Sequence, residues 1–282
     1  MTNNAEYERL LKLYGQMIEA LKDFRPSDER LFDAFRLALK LFFHAASTYH
    51  LAKGTDVTLF LPFSGHVYDH SSTAVLSRAV LETFLCFHYV FVEPQGEEFD
   101  FRYSSWKLSG FAARETFPAS LPEHQAKLAE EKTHNDDLRT QIQQTQRFKD
   151  LKPKVQKQVL NGHKWRFASW MNIATSAGVG KYYMGHVYSF LSDHAHSGAL
   201  SSAQITAPPN DQERLVSSDL SFIKAVVGKM ITTFAHKFPT VQDTLTQDPE
   251  AAFMAEVYTV VLARLDSEVP VGTEKHNQTT RE

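Results

Sequence analysis

The chain has one cysteine, Cys86, among its 282 residues. It can therefore form no internal disulfide and no cysteine-based zinc site. That usage fits a reducing compartment, and a cytoplasmic location is the expectation. The opening "MTNNAEYERLLKLYGQ" has neither the basic start nor the apolar core of a signal peptide. The richest apolar run, 74–92, is interrupted by Arg78, Glu82 and His88, which would be costly in lipid, so no membrane span is expected. No G-x-S-x-G nucleophile turn and no H-E-x-x-H helix occur. "GVGKYY" at 178–183 lacks the preceding strand of a phosphate loop, so no cofactor is implied.

Excess charge of one sign is missing too. Thirty basic and 33 acidic residues leave a net charge of -3, so no global field draws nucleic acid in, although a local patch can still bind it. Lys152, Lys154, Lys157, Lys164 and Arg166 form a modest basic stretch whose simplest reading is a solvated helix face.

What is present is apolar material with helical spacing. Hydrophobic residues make up 43% of the chain, enough for one large domain or two small ones. Leu10, Leu11, Tyr14, Met17, Ile18 and Leu21 recur at intervals of three and four, the pattern of one helix face. A second helix follows, with Ser27 as its N-cap, Asp28 and Glu29 in its first turn and Gly54 near its end. "VTLFLPFSG" reads as a buried loop or lone extended piece because Pro62 and Gly65 break it.

The segment 69–92 is apolar nearly all round and reads as a central helix. The next helix directs Phe99, Tyr103, Trp106 and Phe111 inward, and residues 123–162 read as a polar helical arm. Asp211 is expected to cap a helix running to about Phe238. The expected fold is all-α: a multi-helix bundle of about eight helices in a single domain over 1–265, with a projecting polar arm at 123–162. A disordered tail is expected over 266–282.

Polar groups inside the apolar helices carry the functional signal. Arg78 and Glu82, four residues apart, share a helix face with Val75, Leu85 and Tyr89, and are expected to be buried as a pair. In "YSFLSDHAHSG" (188–198), Ser189, Ser192 and His196 stack on one face, while Val187, Phe190 and His194 fall on another. His196 is therefore the histidine expected to meet Arg78 and Glu82. The candidate catalytic set is Arg78, Glu82, Ser192 and His196. A Ser192, His196, Glu82 relay has the members of a hydrolase triad but no oxyanion hole is evident. A metal set is also conceivable: "HVYDH" gives His66, Asp69 and His70, joined by His194.

"AHSG" after an apolar helix resembles the end of the R-N-x-x-x-H motif of the nucleotide-binding helical domains of higher eukaryotes and prokaryotes (HEPN), many of which are RNases of toxin and antiviral systems. His196 matches the motif histidine, whereas Leu191 and Ser192 stand where the arginine and asparagine belong; Arg78 would have to supply the cation from another helix. A longer stretch, 71–198, resembles an uncharacterised bacterial helical family, a domain of unknown function with R-x-x-x-E and Y-x-x-L-S-x-x-x-H motifs. Arg78, Glu82, Tyr188, Leu191, Ser192 and His196 fit that pattern. The resemblance implies an all-helical fold and no particular activity.

The leading expectation is a pocket that binds or cleaves RNA or a phosphate-bearing small ligand without metal, in a toxin or phage-defence setting. The competing expectation is a non-enzymatic scaffold whose cluster is structural and whose 123–162 arm contacts a protein partner. A metal-dependent hydrolase using His66, Asp69, His70 and His194 is the third.

Overall fold

The computed structural model describes residues 3–61, 65–181 and 183–264. In chain order the helices are α1 (Asn3–Glu19), α2 (Glu29–Leu51), α3 (His70–Phe87), α4 (Gly96–Phe111), α5 (Pro122–Gln144), α6 (Gln146–Lys149) and α7 (Pro153–Leu160). They continue with α8 (Trp170–Ser176), α9 (Tyr188–Ala195), α10 (Ala199–Gln204), α11 (Pro209–Lys237), α12 (Gln242–Gln247) and α13 (Pro249–Arg264). The chain is thus an all-α, multi-helix protein. The strands among the described residues are β1 (Thr55–Asp56) and β2 (His66–Val67), paired antiparallel. Single π-helical turns follow α3 (His88–Val92) and precede α9 (Tyr183–Val187).

Two compact units emerge. The first takes residues up to Asp23, 39–82 and those from Gly178 onward. There the stripe that the sequence announces is buried from Leu10 to Ile18 on α1 and at Leu21 in the turn after it, and α1 packs against α11 and α13. Helices α11 and α13 approach closely at Gly228, where a Cβ would come 2.8 Å from the Tyr258 Cβ and 3.1 Å from the Ala255 carbonyl oxygen. A partly buried polar link ties the same three helices. Lys224 Nζ donates to Glu6 Oε2 at 2.8 Å and the Tyr258 hydroxyl to the same oxygen at 2.7 Å. The lysine bond, then the tyrosine bond, holds the Glu6 carboxyl below its ordinary range.

The second unit takes residues 24–38 and 83–177. Its core gathers Phe101 and Leu108 of α4 with Leu138 and Ile142 of α5, Phe148 of α6 and Val159 of α7. Residues 122–127 of the polar segment are fully on the surface, whereas its second half is packed on α4. The thin apolar spacing that marks this stretch is that of a helix with one narrow buried stripe.

Several local expectations are corrected by the structure. The N-cap of α2 is Asp28, whose Oδ1 accepts from the Arg30 amide at 2.9 Å, and not Ser27; an acid adjacent to the first turn takes the orphan donor directly. Asp211 lies inside the first turn of α11, whose N-cap is Pro208. The loop at 57–61 is surface and not buried: Leu59 and Phe60 are 84% and 78% exposed. Pro62 of that stretch and the tail 266–282 lie outside the described residues. In α4 the buried residues include Phe101, Tyr103 and Leu108, while Phe99, Trp106 and Phe111 are half-covered. Helix α3 with its π turn, His70–Val92, is long and apolar enough by composition to cross a bilayer, and 61% of that window is buried within the protein.

Gly162 closes α7 at φ +73°, and a Cβ there would meet the Ala112 Cβ at 2.6 Å and the Leu108 carbonyl oxygen at 3.2 Å. Both the left-handed backbone and the lack of room oppose a side chain. Gly162→Ala is expected to destabilise the protein by about 2 kcal/mol, read as a lower urea midpoint with an unchanged m-value. A midpoint equal to wild type would contradict this packing.

Candidate site on helices α3 and α9

The i, i+4 spacing on α3 brings Arg78 Nε to 2.9 Å from Glu82 Oε1. The Tyr188 hydroxyl, from the first residue of α9, donates to the same Glu82 oxygen at 2.8 Å. Arg78 Nη2 lies 3.4 Å from that hydroxyl, and the guanidinium sits 5.2 Å from the centre of the Tyr188 ring. Its other nitrogen, Nη1, lies 3.3 Å from His196 Nε2. A guanidinium only donates, so this contact requires a lone pair on Nε2 and hence a neutral imidazole with its proton on Nδ1. Burial, then the Glu82 bond, pushes the Tyr188 phenol above its ordinary pKa and keeps it a donor.

The end of α9 explains how "SDHAHSG" both stops a helix and presents a side chain. His196 is the C-cap, and Ser197 adopts the left-handed conformation at φ +54°. The Gly198 amide reaches back to the Asp193 carbonyl at 2.9 Å and the Ser197 amide to that of His194 at 3.4 Å, the two bonds of a Schellman stop. A Cβ on Gly198 would lie 1.7 Å from Asp193 Oδ1. That carboxylate turns instead to the next helix, its Oδ2 accepting from the Ser201 amide at 3.0 Å.

Arg78, Glu82 and His196 are therefore brought together, as their faces imply, and Tyr188 joins them. Ser192 does not join: its hydroxyl donates to the Tyr188 carbonyl oxygen at 2.7 Å inside its own helix. Burial is corrected as well. The Arg78 and Glu82 side chains retain 18% and 31% of their exposure, and His196 is exposed. Val75, one turn earlier on the same face, is 40% exposed; that edge of α3 is incompletely covered despite its apolar composition. An ion pair this wet contributes about 0 to 1 kcal/mol, so it orients more than it stabilises.

The second set of candidates divides. His66 Nε2 lies 3.0 Å from the Lys53 carbonyl oxygen at the surface, and Asp69 Oδ1 accepts from the Ser72 amide at 3.0 Å as a helix cap. His70 and His194, in contrast, are both buried, with ring centres 4.5 Å apart and edges crossed. Among the described residues no group of three or more His, Cys, Asp or Glu is arranged to hold a metal ion.

Beside His70 lies Asp219 of α11, a residue not singled out by its sequence. Its Oδ2 is 3.4 Å from His70 Nε2 and accepts from Thr73 Oγ1 at 3.2 Å. The available signal was an acid on the stripe of Val216, Leu220 and Ile223, all of them buried. Burial raises the Asp219 carboxyl to about 8, against a smaller opposing effect of Thr73. Burial, then proximity to His194, lowers His70 to about 4. At neutral pH both groups are therefore mainly uncharged, which removes the desolvation cost of a buried ion pair.

The fold and site define an all-helical protein carrying an arginine, tyrosine and histidine ledge where α9 meets α3. The chain belongs to a family of unknown function, DUF5677, whose model matches residues 36–213 and so spans the whole ledge. No curated protein and no solved structure matches the chain.

Asp219 gives the pH dependence a definite sign. Its raised folded pKa means that the native state holds a proton that the unfolded chain has lost, so stability falls as pH rises towards 8. The lowered pKa of His70 acts in the opposite sense between about 4 and 6.5, offsetting it there. From pH 6.5 to 8 wild type is expected to lose about 1 kcal/mol through this pair, and Asp219→Asn to abolish the loss. Parallel slopes for the two proteins in denaturant titrations across that window would sink the assignment.

Proposed function

We propose that the Arg78 ledge is a phosphodiester site that binds single-stranded RNA and cleaves it without a metal. The observation that carries this reading is the 3.3 Å approach of Arg78 Nη1 to His196 Nε2 on an accessible surface. Glu82 and Tyr188 hold Arg78 from behind, so its guanidinium is oriented before any ligand arrives. A phosphate oxygen entering at this edge takes the Nη1 hydrogen bond as a charge-assisted one. The released Nε2 lone pair of His196 then serves as general base.

In the reaction the O2′ of one nucleotide attacks its own 3′ phosphorus and gives its proton to His196 Nε2. The bond from phosphorus to O5′ of the next nucleotide breaks, the leaving oxygen takes a proton from water, and the hydroxide so formed takes back the proton held by His196. Arg78 stabilises the charge that gathers on the non-bridging oxygens. The product ends are a 2′,3′-cyclic phosphate and a 5′ hydroxyl. The resemblance to HEPN domains supports a cytoplasmic toxin or phage-defence setting for such an activity.

A second reading has its own support. Because Glu82 accepts from both Arg78 and Tyr188, the same cluster serves as a clamp between α3 and α9 in a protein whose partner surface lies elsewhere.

End-labelled single-stranded RNA, incubated with the full chain in excess EDTA, separates the two. Cleavage to cyclic-phosphate ends is expected, with a loss of about 100-fold or more in His196→Ala at nearly unchanged RNA affinity. Arg78→Lys is expected to weaken both binding and cleavage, since a lysine cannot reproduce the held fork. The clamp reading instead gives no cleavage in wild type and a lowered melting temperature in Tyr188→Phe and Glu82→Gln.

A further inference from the structure

A cavity of about 340 Å³ in the first unit shares α3 with the ledge but none of the ledge residues, and includes the α10 to α11 connection. Part of its wall is apolar, with Val57, Val67 and Ile205 among the lining residues. Leu61 and Ile205 at its edge remain 57% and 64% exposed, so the cavity opens through an apolar rim. Gln212 fixes that rim: its Nε2 donates to the carbonyl oxygens of Ile205 at 2.8 Å and Ala207 at 3.1 Å.

The polar lining carries hydrogen-bonding capacity that the protein leaves unused. His70 is only 4% exposed; its Nε2 faces Asp219 Oδ2 at 3.4 Å, but its Nδ1 has no hydrogen bond and the buried Gln204 Oε1 has none either. Buried polar atoms without partners are uncommon and each one costs free energy. Here they line one open cavity. The His70 ring packs against the His194 ring, 4.5 Å away, and the Phe190 ring, 5.7 Å away.

The charges decide what fits. Among the described residues lining the cavity there is no lysine or arginine, and the one acidic side chain is that of Asp69. His70 is neutral, held well below its ordinary pKa by burial; with Nε2 turned to Asp219, its Nδ1 is the free donor and Gln204 Oε1 the free acceptor. Such a lining rejects anions. It suits a flat solute with apolar faces and a donor beside an acceptor on its rim, and the volume lies in the range of small-molecule sites.

We infer that this cavity is a binding site for an uncharged nitrogen heterocycle of about nucleobase size, recognised by His70 and Gln204. The argument uses no residue of the Arg78 ledge, so the site stands or falls independently of RNA cleavage.

Isothermal titration of the full chain at neutral pH tests it with adenine, cytosine, uracil and nicotinamide, and with the anions orotate and nicotinate. At least one uncharged heterocycle is expected to bind saturably, with orotate weaker than uracil or nicotinate weaker than nicotinamide by tenfold or more. Ile205→Trp fills the mouth from an exposed position and is expected to lower the affinity at least tenfold. Gln204→Leu should lower it severalfold, and Arg78→Ala should leave it within twofold. Absence of binding by every uncharged member, equal binding of the acids, or full affinity in Ile205→Trp would each overturn the inference and leave solvent as the cavity's occupant.

Discussion

One carboxylate oxygen organises the ledge. Glu82 Oε1 accepts from the arginine one turn before it and from the tyrosine that begins α9. A single acceptor thus fixes the Arg78 fork and the entry of α9 together. The position of His196 depends on both, because its ring meets the far side of the same guanidinium. The shared oxygen works because it is only partly desolvated. In a dry core the three charged and polar groups would need further partners to offset burial, whereas here water supplies them.

A short distance along α3, within the same unit, polarity is handled in the opposite way. Between α3 and α11 the pairing of His70 with Asp219 is enclosed, and burial moves both groups towards their neutral forms. The same helix therefore carries a hydrated charged pair on one face and an uncharged acid and imidazole pair at its start. The difference follows from coverage and not from residue type. It shows why an ionisable residue on an apolar helix cannot be given a role until its surroundings are known.

The helical class and the stripe of α1 were legible because they rest on periodicity, which is local. The meeting of Arg78 with His196 was legible as well, since a face assignment follows from helical geometry once both segments are read as helices. Exposure was not. An all-round apolar composition made α3 look central, and the uncovered edge at Val75 is decided by where other helices happen to lie. Ser192 misled for a related reason. A hydroxyl on the right face has a nearer acceptor in the carbonyl four residues back, and takes it. Asp219 lies far from His70 in sequence, and only folding makes the two neighbours.

The π-helical turn over Tyr183–Val187 gives the ledge some slack in chain length. Such a turn holds one residue more than the α-helix accommodates at that place. Removing one residue there closes the turn to α-helical winding and leaves α9 in nearly the same phase, with Tyr188 still towards Glu82. A residue removed inside α9 meets no such slack and turns His196 by about 100° away from Arg78. The number of residues between the tyrosine and the histidine is therefore fixed in a way that the number before the tyrosine is not.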